Sequence, residues 1–344
     1  MSDRRKEAEE KMAKAIFISA DCWLCVFDLL TPSQLGHGIA LISHRFDFYV
    51  DEHFKTRKWA LKPMQIRRKI GENGTNEMEI VIYDWKPLPI PKIQLPRKVS
   101  GFKCISIYFI DQNVIAFLHR FRPLFTASQI NLSINTFSVN ILKLIVHNIW
   151  PMIVKNIHGI KLSIRTFRRL RQIIPSILND CPSLRFVCLY VANLFTEFPA
   201  DDNAVASDGQ TLAKWLFTPL PNNVPKMFKC ELEMDYVNLA LNIDAFKTAF
   251  ANVSSPANFI AVYWFRSSFA ASVVLFVLTN ELTREQLELK RINNSNRFLL
   301  IRCPIARDEN KWTKWEEEAI GWPIYKQWSQ IDIVNELWRN DQSI

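Results

Sequence analysis

Cys22 and Cys25 stand in the C-x-x-C spacing used by redox dithiols and zinc half-sites. A zinc site needs a second such pair and a redox dithiol follows a strand. Here no second pair exists and the motif lies in an apolar helical pattern, so both read as core thiols. The histidines at 37, 44, 53, 119, 147 and 158 never fall at the short spacing of a local metal pair, so no metal is implied. Phosphate loops need clustered glycines, yet the chain has eight, and Gly36 and Gly38 make only a lone G-x-G. Common nucleotide-binding enzymes are thereby excluded. Neither G-x-S-x-G nor H-E-x-x-H occurs, and Glu316 and Glu318 sit in a charged helical stretch where solvation explains them. No catalytic residue and no cofactor is expected. Arg165, Arg168, Arg169 and Arg171 are the densest basic cluster and read as the solvated outer face of a helix; nucleic-acid contact is not the favoured reading.

The elements that must carry any binding chemistry belong to a chain of 344 residues with 49% hydrophobic and 22% charged residues, enough to bury a core in about two domains. The net charge of +9 favours acidic partners but is spread too evenly to name one. No run is long enough to span a bilayer; the longest, Phe269–Leu278, fits a buried strand, and no membrane partner is expected. Mixed charges at the N-terminus are unlike a secretory signal, and seven cysteines, an odd number, read as reduced thiols. The expected location is the cytoplasm, the nucleus or both.

Five segments follow. Residues 1–15 form a charged helical leader. Residues 16–59 place Trp23, Val26, Phe27 and Leu30 at helical spacing, then Thr31-Pro32 as a stop and restart, then Leu35, Ile39 and Ile42, and finally Phe46, Tyr49, Val50, His53 and Phe54. This predicts a three-helix unit too small to hide its own apolar faces, so it must lean on the rest of the chain or on a partner. Residues 60–100 hold Pro87, Pro89, Pro91 and Pro96 and read as a stiff connector with a hairpin around Asn73-Gly74.

Residues 101–320 alternate short apolar runs with helical faces. Phe102-x-x-Ile105-x-Ile107, Ala127-x-x-Ile130-x-Leu132, Ile157-x-x-Ile160-x-Leu162 and Leu184-x-x-Val187-x-Leu189 recur at intervals of 25, 30 and 27 residues. Looser matches begin at Met227, Ala257 and Phe298. Strand then helix at this interval predicts an α/β fold of irregular leucine-rich-repeat-like units. Residues alternating with the buried ones should line an exposed concave face, where repeat proteins bind ligands: Ser106, Tyr108, Asn131, Ser133, Lys161, Ser163, Cys188 and Tyr190. Trp312, Trp315 and Ile320 are expected to cap the end of the apolar stack, and 321–344 is read as a C-terminal tail.

Asp21, Val26-Phe27, Leu30-Thr31-Pro32-x-x-Leu35 and Ala40-Leu41-Ile42-Ser43-x-Arg45-Phe46 resemble the F-box, with the stretch from Leu35 to Ile42 one residue longer than that motif. The whole chain is also similar to a large F-box-like family of plant-parasitic cyst nematodes through Tyr49–Trp59, Asn179–Arg185, Ala213–Pro219, Phe298–Asp308 and Lys311–Trp315. The resemblance implies a non-catalytic substrate receptor of an SCF-type ubiquitin ligase. Its F-box would dock on a Skp-family adaptor, and so on the cullin–RING core, while the C-terminal domain holds an unknown target protein. Trp23, Val26, Phe27, Leu30, Pro32, Leu35, Ile39, Ile42 and Phe46 would divide between the unit's own core and the adaptor interface, with Trp23 and Phe27 as anchors. The competing reading is a non-catalytic repeat-type binding scaffold with a degenerate F-box that contacts nucleic acid through its basic residues.

Overall fold

A computed structural model describes residues 18–30, 34–57, 59–70, 76–82, 99–190, 194–232, 236–265, 273–293, 295–321 and 329–334. The expected leader (1–15), Pro32 and the prolines at 87, 89, 91 and 96 lie outside the described residues. The chain divides into two compact units, Met1–Trp59 with Pro96–Ser100, and Ala60–Leu95 with Gly101–Ile344.

In the first unit α1 (Ala20–Phe27) begins at Ser19, whose hydroxyl accepts the Cys22 N–H, one of the donors a helix start leaves unpaired. A π-helical turn, Leu35–Ile39, runs into a 3-10 turn, Ala40–Ile42, and Ser43 then caps α2 (His44–Thr56) by accepting from Phe46 N–H. A π turn closes its hydrogen bond one residue later than an α turn, so Leu35–Ile39 holds one residue more than an α turn would. The core is small: Phe27, Leu35 and Val50 are wholly buried, with Trp23, Leu30, Ile39, Phe46, Tyr49 and Phe54 packed around them. Asp28, just past α1, pairs with Arg57 at 2.9 Å.

In the rest of the chain come β1 (Trp59–Leu61), β2 (Met64–Ile70), β3 (Asn76–Ile82), β4 (Val99–Phe102), β5 (Cys104–Ile107), α3 (Gln112–Arg120), α4 (Arg122–Ala127) and β6 (Ile130–Asn135). Then follow α5 (Val139–Leu144), α6 (Trp150–Ile153), β7 (Ile157–Ser163), α7 (Ile164–Arg171), β8 (Phe186–Tyr190), α8 (Asp208–Phe217), β9 (Lys226–Leu232) and α9 (Tyr236–Asn252). The last elements are β10 (Phe259–Phe265), β11 (Phe276–Asn280), β12 (Glu285–Arg291), β13 (Arg297–Pro304), α10 (Glu309–Gly321) and β14 (Ser329–Val334). Apart from a two-stranded pairing of β1 with β4, the described strands form one sheet in the order β11-β12-β13-β10-β9-β8-β7-β6-β14-β5-β2-β3. From β10 to β2 neighbours run parallel. β3 at one edge and the β13-β12-β11 meander at the other are antiparallel. The fold is mixed α/β, built on a large mixed sheet.

The apolar templates fall on strands, and β6 to β10 lie side by side in chain order. One face is a continuous apolar layer: Met64, Ile105, Ile331, Leu132, Ile160, Val187, Phe228, Ala261 and Leu300 pair in succession across nine strands, all buried. Three expectations are corrected. Residues 64–70 and 76–82 are not connector: alternating Met64 and Ile66 are buried, and β2 and β3, antiparallel neighbours on either side of the expected Asn73-Gly74 turn, which itself lies outside the described residues, extend the sheet. Residues 329–334, expected in a tail, form β14 at the heart of the sheet, with Ile331 and Ile333 buried between β5 and β6. The run ending at Leu278 is not a buried strand but the edge strand β11.

Candidate functional site

In the helical unit the expected partner-facing residues separate into two sets. Phe27 and Leu35 have no exposed surface and belong to the unit's own core, so Phe27 is not a surface anchor. Trp23, Leu30, Ile39 and Phe46 are half-buried against that core, Trp23 meeting Phe46 edge-on at 4.8 Å. Val26 and Ile42 point outward at 43% and 63% exposure, joined by Leu29 at 85%, Leu41 at 77% and Phe48 at 60%, which the sequence pattern did not single out. Helical periodicity marks an apolar stripe but not which part of it the unit itself covers; five large apolar side chains in water are the residue of that division. Cys22 and Cys25 are exposed on α1 rather than in the core, because their positions face away from Phe27.

On the sheet, register places the predicted target-facing residues on the face opposite the apolar layer. Gln65, Ser106, Asp332, Ser133, Lys161, Cys188 and Lys229 pair in one row, and Gln330, Asn131 and Gly159 in the row beside it. Ser106, Tyr108, Ser133, Lys161 and Tyr190 keep partial exposure, whereas Asn131, Ser163 and Cys188 are buried. Each burial has a local cause. Ser163 caps α7, its hydroxyl accepting from Thr166 N–H at 3.1 Å. Cys188 lies under α10, in the cluster that Trp312 and Ala319 form with Met227, Ile260, Val262, Leu299 and Ile301. Asn131 sits over Gly159, where any Cβ would overlap its side-chain oxygen.

The same cluster corrects the expected cap. Trp312, Trp315 and Ile320 pack on the core as anticipated, but they cover the sheet face over β8, β9, β10 and β13 instead of the end of the stack. They do so because the face turns apolar there: Lys229 is followed in its row by Val262 and Leu299. The polar half is therefore the stretch on β5, β14, β6 and β7, where Ser106, Ser133, Lys161 and Asp332 are partly exposed among the described residues.

Asp332 organises that half. Gln330 Nε2 donates to both its oxygens at 2.8 and 2.9 Å, and Cys104 Sγ stands 3.7 Å away. Burial raises the Asp332 carboxyl above its ordinary value, and burial likewise pushes the Cys104 thiol up to about 11. Cys104 is thus held mainly as the neutral thiol at neutral pH. Lys161 lies 5.9 Å over the Tyr190 ring, whose hydroxyl donates to Asn135 Oδ1 at 3.3 Å. Hydroxyls, amides, a carboxylate and an ammonium in alternation can hydrogen-bond an extended polypeptide. Gln330 and Asp332 escaped notice although Gln330-Ile331-Asp332-Ile333 alternates polar with apolar, the signature of a half-buried strand.

Two of the four arginines of the basic cluster on α7 are engaged internally: Arg168 and Arg171 bind Asp208 at 2.6 and 2.8 Å, and Arg171 is buried. Among the described residues no three His, Cys, Asp or Glu side chains gather to hold a metal ion, and no helix is long and apolar enough to cross a membrane. No family model, curated protein or solved structure matches the chain.

Proposed function

We propose that the chain is the substrate-recognition subunit of an SCF-type ubiquitin ligase, its N-terminal helical unit docking on a Skp-family adaptor and its sheet domain holding a target protein. One observation carries the reading. Val26, Leu29, Leu41, Ile42 and Phe48 are exposed on a unit whose wholly buried apolar side chains, among the described residues, are Phe27, Leu35 and Val50. Helical units of this size complete an apolar interior by burying such side chains against a partner. The target would lie along the partly exposed polar rows through Ser106, Ser133, Lys161, Tyr108 and Tyr190, and the chain itself carries out no chemistry.

Co-expression with a Skp-family adaptor tests this. The expected outcome is a stable 1:1 complex that Leu41→Asp with Ile42→Asp abolishes while the melting temperature of the free chain holds, since both side chains are exposed. Phe27→Ala with Leu30→Ala should lose the complex by a different route, unfolding the unit. A folded wild-type chain that ignores the adaptor would overturn the proposal.

A further inference from the structure

Of the seven cysteines, Cys22 and Cys25 are exposed, Cys104 is half-buried, and Cys181, Cys188, Cys230 and Cys303 are buried. Burial raises the thiols of the last five, which holds them mainly in the neutral, unreactive form. The exposed pair shares one helix. Both lie within α1, Ala20–Phe27, where three residues of helical advance set their Cα atoms about 5 Å apart. That is inside the span a disulfide accepts, roughly 4.4–6.8 Å. The Cβ atoms, about 5–6 Å apart at this spacing, must approach to about 4 Å for the bond. Closing it therefore tightens the turn it crosses. Ser19, which caps α1, donates its hydroxyl to Cys22 Sγ at 3.2 Å. Trp23 and Leu24, the residues between the two thiols, pack on the core of Phe27, Leu35 and Val50.

We infer that Cys22 and Cys25 form a reversible disulfide across this turn, closed by hydrogen peroxide and reopened by glutathione. Proximity selects the pair, since each is the other exposed thiol of the chain and stands one helical turn away. The sulfur of one cysteine attacks an oxygen of the peroxide, the O–O bond breaks, and a sulfenic acid and one water result. The second thiol then attacks the sulfenic sulfur; the S–S bond forms, the S–O bond breaks, and a second water leaves. The two sulfurs together lose two electrons, and these reduce the peroxide. Two glutathione molecules reverse the bond by exchange and depart as glutathione disulfide. Strain favours that return, because a bond that must draw its Cβ atoms together is more easily reduced. Trp23 and Leu24, held on the core, resist the same movement.

Treating the reduced full chain with hydrogen peroxide, and reading intact mass and peptide maps, tests the pairing. A thiol-counting reagent should find two fast thiols in the native chain and seven after unfolding. Peroxide should remove both fast thiols with a mass loss of two hydrogens, mapped to a bond between Cys22 and Cys25. Excess glutathione should restore them. Cys22→Ser or Cys25→Ser should instead leave a sulfenic acid that dimedone labels, with an unchanged thermal melt because both side chains are exposed. Cys104→Ser should oxidise as the wild type does. A bond that includes Cys104, a covalent dimer, thiols that peroxide leaves unpaired or carries on to sulfinic acid, or a bond that glutathione does not reopen would each overturn the inference.

Discussion

Neither amide atom of Asn131 has a hydrogen-bond partner among the described residues, although the side chain is buried, and its oxygen occupies the space a Cβ on Gly159 would need. Buried, unpaired polar atoms cost stability, and so does overpacking. Gly159→Ala should therefore destabilise by about 1–3 kcal/mol, whereas Asn131→Ala alone should be neutral or stabilising. Urea melts of the double variant should show less than the sum of the two effects. Lys226 offers a second test. Its Nζ donates to the Trp215 carbonyl at 2.5 Å, no described residue forms an ion pair with it, and burial pushes its ammonium down to about 7 from an ordinary 10.5. Between those values the unfolded chain binds the extra proton, so this residue makes stability rise with pH and withdraws it as pH falls. Lys226→Met should flatten that rise and leave the protein more stable than wild type at neutral pH, as thermal melts across the window would record.

The π turn at Leu35–Ile39 makes a prediction at the scale of elements. Gly38 is exposed, with nothing within 4 Å of where a Cβ would point. Deleting it should convert the turn to an α turn and leave α2 in phase, with little change in melting temperature. Deleting Val26 inside α1 should instead rotate Phe27 out of the core and unfold the unit, by circular dichroism. Elements with a dense local signal were legible in sequence: β5 to β10 carry apolar residues on at least one face, and their spacing showed it. What depends on distant contacts was not. Ser329–Val334 is short, and its partners Ile105 and Leu132 lie some two hundred residues earlier in the chain. The apolar content of β11 suggested burial because composition does not distinguish an edge from a centre. Phe27 looked like an anchor for a related reason: periodicity finds the greasy stripe, and only packing divides it between core and surface. On the sheet the alternation placed Ser106, Ser133 and Lys161 on the face opposite the apolar layer but could not foresee α10 settling over Cys188.

For the molecule as a whole, β14 is the keystone of the parallel region. It pairs with β5 on one side and β6 on the other, and buries Ile331 and Ile333. A chain ending at residue 328 should lose cooperative unfolding and expose apolar surface to a dye such as ANS. A synthetic peptide of residues 329–344 added in trans should restore a single melting transition, because the slot it leaves is a pair of matched strand edges. The position of this strand also orders events during protein synthesis. Every other described strand of the sheet leaves the ribosome before the piece that unites them, so the nascent polypeptide must wait with a split β surface, in need of chaperone shelter, until residues 329–334 emerge.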